Sequence, residues 1–139
     1  MKTINTRFGQ IEYDPDNLLF FPEGMIGLPQ LRHFIVMPNQ KQGPLFWIQC
    51  VDDPDIAFVL TNPGDFFLDY AIMPDDSERE KLGIAAEDEY FTLAVVTVPP
   101  DQNITLNLSA PILFAPKTNK ALQVVLDDPK YKTKTPLPK

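Results

Sequence analysis

The sequence predicts an all-β domain, a small antiparallel barrel or sandwich with one short helical insertion near residues 75–82. Three observations carry that expectation. Fifteen prolines are spread over 139 residues, and proline lacks an amide hydrogen and fixes φ, so long helices are excluded while short strands between turns are not. Residues 103–109 alternate, with Ile104, Leu106 and Leu108 on one side and Thr105, Asn107 and Ser109 on the other, the two-residue period of a half-buried strand. Residues 90–98, YFTLAVVTV, are β-branched and aromatic on both faces, as a central strand requires.

The remaining elements follow in chain order. Further short strands are expected at 3–13, 31–37, 45–51, 56–60, 112–115 and 121–126, each rich in apolar residues and bounded by turn formers. The segment Pro74-Asp75-Asp76-Ser77-Glu78-Arg79-Glu80-Lys81-Leu82-Gly83 opens on acidic and hydroxyl caps, continues in helix formers and closes on glycine. A chain of this length buries about two-thirds of its surface in one core. We assign residues 1–128 to one β domain and 129–139 to a basic, proline- and lysine-rich tail or poorly paired edge segment. No internal repeat is visible.

Charge narrows the function. The net charge is −7, unevenly placed: residues 1–116 hold 6 basic and 17 acidic residues, net −11, and residues 117–139 hold 6 basic and 2 acidic, net +4. A field of that sign repels nucleic acid and anionic membranes and favours basic partners. No apolar run approaches the ~20 residues of a membrane span, and the N-terminus lacks a signal-peptide core. A single cysteine, Cys50, suits a reducing compartment. The expectation is a soluble cytoplasmic protein.

The catalytic inventory is thin. His33 and Cys50 each sit in apolar strand sequence, where packing is the ordinary role. The six glycines have no nucleotide-cradling spacing, and no histidine–cysteine cluster offers a zinc site. Asp52, Asp53 and Asp55 could hold a divalent cation, which would make the chain a metal-dependent hydrolase, but Asp-Asp-Pro-Asp between two strands is also β-turn chemistry. Direct RNA binding through the lysine-rich tail is a further alternative. The balance of these readings is no enzyme, no metal and no cofactor.

Protein binding remains. Adjacent aromatics beside turns, Leu18-Leu19-Phe20-Phe21 and Phe66-Phe67-Leu68-Asp69-Tyr70, cannot both face one core from a single strand. Either layers cover both faces or one of each pair stands near solvent as a binding patch. The candidate partner-binding residues are Leu19, Phe21, Asp52, Asp53, Asp55, Asp65, Phe66, Phe67 and Asp69.

Three stretches resemble one family. They are TRFGQIEYD with FPEGMIGLPQLRHF; PLFWIQCVDDPDIAFVLTNP running into FFLDYAI; and VTVPPDQNITLNLSAPILFAPKTNKALQVVLDDPKYKTKTPL. In this order they are similar to the flagellar assembly factor FliW family over nearly the whole chain. The resemblance implies a cytoplasmic, non-enzymatic, barrel-like protein without metal or cofactor. It also implies two partners, the C-terminal region of flagellin and CsrA, an RNA-binding repressor of flagellin translation. Binding CsrA would relieve repression, and accumulating flagellin would free CsrA again. A chaperone for an unrelated secreted protein is the alternative within the binding class.

Overall fold

A computed structural model describes residues 1–6, 8–37, 45–70, 72–97 and 103–136. Its strands are β1 (Lys2–Thr6), β2 (Gly9–Tyr13), β3 (Leu19–Phe20), β4 (His33–Met37), β5 (Leu45–Cys50) and β6 (Ala57–Thr61), then β7 (Phe91–Thr97), β8 (Thr105–Leu106), β9 (Ile112–Ala115), β10 (Lys120–Gln123) and β11 (Thr135–Pro136). One helix, α1 (Asp76–Leu82), lies between β6 and β7. Strands β3, β4, β5, β6, β7, β9 and β10 pair in a closed ring, so of the two architectures expected the barrel is the one formed. Closure removes the sheet edges that an open sandwich would have to protect.

Two joints make the ring possible. The first half of β7 pairs with β9, Phe91 opposite Phe114, and its second half pairs with β8, Val96 opposite Leu106. The other joint is parallel: Phe20 of β3 registers with Lys120 of β10, and the Phe20 amide donates to the Asn119 carbonyl at 2.9 Å. Asn119 has φ 56°, a left-handed conformation that asparagine tolerates better than most residues.

The inward side chains follow the two-residue period. Phe34 on β4, Ile48 and Cys50 on β5, Leu60 on β6 and Ile112 on β9 form one buried cluster. Outside the ring, Leu82 of α1 packs with Leu113, Ala115, Leu122 and Val124 on the outer face of β9 and β10. Phe66, Phe67, Tyr70, Ile72 and Tyr131 cover Ala94, Val96 and Leu106 on the outer face of β7 and β8. Both faces of these strands are therefore buried, which is why 90–98 reads as continuously apolar.

The loop after β3 fills one end of the ring. Phe21, Met25 and Leu31 join the inner cluster from it, the Phe21 amide donates to the Arg32 carbonyl at 2.8 Å, and the Ile26 amide donates to the Gln123 side chain at 2.9 Å. Gly24 makes the turn possible: φ is +70°, and a Cβ there would stand 2.6 Å from the Pro29 backbone.

Several expectations change in detail. Residues 3–13 form a hairpin, β1 with β2, instead of one strand. This two-stranded sheet pairs with no barrel strand among the described residues, and the tip touches the barrel through Phe8 edge-on to Trp47, ring centroids 5.1 Å apart. The helix is capped as its sequence indicates, by a reciprocal Asp75–Glu78 capping box and Gly83 in the left-handed conformation. Of the two forms expected for the segment after residue 128, a tail or a poorly paired edge segment, the described part takes the second: β11, two residues long, is the edge strand beside β8. Tyr131 meets Tyr70 edge to face at 4.9 Å, the Leu108 amide donates to the Lys132 carbonyl at 3.1 Å, and β11 pairs with β8. An apolar tyrosine and an extended stretch with free partners suffice to dock this segment despite its lysines. Residues 137–139 lie outside the described residues.

Candidate functional site

The carboxylates at 52, 53 and 55 occupy the connection between β5 and β6, at the filled end of the barrel. The Gln49 side chain, fully buried, builds this turn by donating to the carbonyls of Cys50, Pro54 and Ile56, each at 3.0 Å. The Ile56 amide donates to the Asp53 carbonyl at 3.1 Å, and the Asp55 amide donates to the Asp53 carboxylate, also at 3.1 Å. Pro54 thus sits in a turn closed by its neighbours, as one of the two sequence readings held.

Asp52 does something different. Its carboxylate accepts from the backbone amides of Arg32 at 2.8 Å and His33 at 2.7 Å, and the His33 ring lies 3.1 Å away. Partial burial pushes its pKa up, but the amide hydrogen bonds from His33 and Arg32 and the nearby ring outweigh that, leaving it below the ordinary aspartate range. Asp52 is a clamp joining the β5–β6 turn to the start of β4, and its carboxylate is not gathered with those of Asp53 and Asp55. Among the described residues no three His, Cys, Asp or Glu side chains are grouped to hold a metal ion. The Cys50 thiol is fully buried, and burial pushes its pKa up, the condition of an unreactive cysteine.

The second candidate group lies on a 3₁₀ turn at 63–65, where the Gly64 amide donates to the capping Asn62 side chain at 2.9 Å. Asp65 on it and Asp69 beyond it are exposed. Phe66 and Phe67 are half-buried against the cluster of Ala94, Val96 and Leu106. Next to them Leu68, named in the aromatic segment but not among the candidate residues, is 91 % exposed. A cavity of about 270 Å³ lies beside Phe67, Leu68, Tyr131 and Lys130. The Tyr70 hydroxyl donates to the Leu108 carbonyl at 2.7 Å, and burial pushes its pKa well above the usual tyrosine value.

Leu19 and Phe21 are corrected as surface candidates. Phe21 has no exposure and Leu19 is 5 % exposed, because both point into the ring and join its inner cluster. Sequence reading missed a different apolar feature. At the end opposite the aspartate turn, Val36, Phe46, Phe91, Leu93 and Phe114 surround an open cavity of about 240 Å³. The spacing of Val36 from Phe34, two residues along one strand, was the available signal.

The family model for the FliW protein matches residues 2–137. The chain belongs to the FliW family. It is 66 % identical over 138 residues to the flagellar assembly factor FliW 2 of Desulfotalea psychrophila, covering 99 % of this chain and 91 % of that one. It is 63 % identical to the flagellar assembly factor FliW of Syntrophotalea carbinolica, covering 99 % and 98 %. A crystal structure of the flagellar assembly factor FliW superimposes with a TM-score of 0.88 at 30 % identity, covering 99 % of both chains. The FliW barrel is therefore the architecture of this chain end to end. No described helix is long and apolar enough to cross a membrane.

Proposed function

We propose that this FliW family member is a cytoplasmic, non-enzymatic regulator that binds flagellin and antagonises CsrA. The observation that carries the reading is family membership along the whole chain, at 66 % and 63 % identity to flagellar assembly factors. The surface agrees with a protein-binding role. The chain carries a net charge of −7, with exposed Asp55 at one end of the barrel and half-exposed inward-facing apolar side chains at the other. A basic RNA-binding partner is attracted by the first, and its RNA is repelled.

Switching follows from mass action. Two partners share one limiting protein, so the free amount of each depends on the quantities and relative affinities of all three. Nothing in this scheme requires a bond to be made or broken.

The test is a three-component titration. CsrA is bound to labelled flagellin leader RNA, and the purified chain is added, followed by flagellin. The expected result is release of RNA by the chain and its recapture when flagellin is added. RNA that stays bound at every ratio, in the presence of folded protein, would overturn the reading. Within the complex the electrostatic contribution is isolated by Asp55→Asn with Asp53→Asn, leaving the Asp52 clamp intact.

A further inference from the structure

Residues 127–136 form a strap laid along the outer edge of β8. Only Tyr131 and Thr135 in it are half-buried, and the other eight residues are exposed. Among the described residues its backbone meets the barrel in two places. The Leu108 amide donates to the Lys132 carbonyl at 3.1 Å, and Thr135–Pro136 pairs with Thr105–Leu106. Tyr131 is the strap side chain that joins the apolar cluster of Tyr70, Val96, Leu106 and Leu108.

The strap also holds its own shape. The Lys130 amide donates to the Asp128 carboxylate and the Tyr131 amide to the Asp128 carbonyl, each at 3.0 Å, and the Thr135 hydroxyl donates to the Lys132 carbonyl at 2.9 Å. Pro129 fixes φ inside that turn. These bonds are local and survive detachment. One half-buried ring and a two-residue ladder hold far less free energy than the closed ring beneath, so the strap opens before the barrel does.

Opening uncovers an unpaired strand edge beside an apolar cluster, the arrangement that takes up a further extended segment by backbone pairing. The present occupant defines the chemistry that fits. It is extended, and it sets one aromatic ring edge-on to Tyr70 at 4.9 Å. It carries Lys130, Lys132 and Lys134, which form no ion pair among the described residues. Residues 1–126 hold 8 basic and 17 acidic residues, net −9, so a basic segment is drawn to this body by its overall field without fixed partners.

We propose that the strap is exchangeable: its seat on β8 binds in trans an extended, basic polypeptide segment whose single aromatic side chain takes the place of Tyr131. The tethered strap competes for its own seat at an effective concentration of roughly millimolar, so capture in trans strengthens when the strap is loosened. The proposal stands independently of the flagellar partners named above.

The probe is a synthetic peptide of residues 127–136, DDPKYKTKTP, labelled at its N-terminus and titrated with the full chain by fluorescence anisotropy. The full-length Tyr131→Ala variant binds it at least about tenfold more tightly than the parent does, because the competing strap has lost its anchor. A peptide carrying Tyr131→Ala loses that gain, and one with its three lysines replaced by glutamine binds about threefold more weakly at low salt. A folded Tyr131→Ala chain that binds the peptide no more tightly than the parent, or that binds the tyrosine-free peptide equally well, would overturn the proposal. Lysine replacement without effect would overturn the requirement for a basic segment. Hydrogen exchange on the parent chain tests release without any variant. The Leu108 amide faces the strap, and the neighbouring Asn107 amide, donating to the Val95 carbonyl at 2.9 Å, faces β7. Leu108 exchanges at least about tenfold faster than Asn107 and with a flatter urea dependence, since strap opening frees it while the barrel stays closed. Equal protection and equal slope at the two amides would show the strap leaving only with the barrel, and would overturn the proposal.

Discussion

Asp52 shows how one residue of a charged run can serve a different end from its neighbours. Its two backbone donors at 2.8 and 2.7 Å hold the ionised form, so its folded pKa lies below that of the unfolded chain. The stability it contributes is then complete above about pH 4, the ordinary aspartate value, and is lost as pH falls through the depressed one. Asp52→Ala strands the Arg32 and His33 amides and is expected to cost about 1–3 kcal/mol at neutral pH. Urea denaturation at pH 7 and again near pH 3 checks this, the difference between variant and parent shrinking on the acid side. Sequence alone weighed a turn against a metal site for 52–55 and contained no sign that Asp52 reaches back to residues 32 and 33. That contact spans about twenty positions and exists only once β4 and β5 are paired. Phe21 was obscured for the same reason, since its burial comes from a loop and a ring joined by long-range register.

Elements whose determinants are local were legible. The helix carries its start and stop in its own residues, Asp75 with Glu78 at one end and Gly83 at the other. Asp75→Ala removes the cap on the Glu78 amide and is expected to cost about 1 kcal/mol, read as a lower urea midpoint with unchanged slope. Helical signal in circular dichroism should fall with it only in the global transition, because Leu82 ties α1 to the outer face of β9 and β10. Strands β4, β5 and β9 lie within their expected ranges and β6 runs one residue past its own, to Thr61, since apolar runs bounded by turns suffice to mark them. The two-residue strands β3 and β11 have no pattern long enough to register a period, whereas β8 lies inside the alternating stretch 103–109, of which Thr105–Leu106 pairs as a strand. Their existence is dictated by neighbours: β3 by β4, β8 by β7, and β11 by β8. The hairpin was read as one strand because the two-residue connection between Thr6 and Gly9 holds neither a proline nor an Asn-Gly pair.

At the scale of the whole molecule, composition specified a β barrel or sandwich but not which, because the choice depends on β3 meeting β10. The C-terminal stretch also belongs to this scale. Its lysines and prolines suggested a tail or a poorly paired edge segment; Tyr131 packs half-buried against Tyr70 and β11 is a two-residue edge strand. Truncation after Asp128 is therefore expected to destabilise the barrel by about 2 kcal/mol or more, from the loss of one packed tyrosine and its aromatic pair. Chemical denaturation of the truncated chain checks it, and an unchanged midpoint would restore the tail assignment. The acidic turn and the apolar cavity beside Val36 and Phe91 also become separable only here, since the direction of β5 and β6 sends them to opposite ends.

The parallel contact between Phe20 and Lys120 has a consequence for how the protein is made. A ribosome must extrude nearly the entire polypeptide before the hoop can shut, so no shorter nascent fragment owns a sealed interior. Search over that separation slows the final step relative to proteins built from nearby contacts. During synthesis the incomplete barrel exposes the very edges that its mature form conceals.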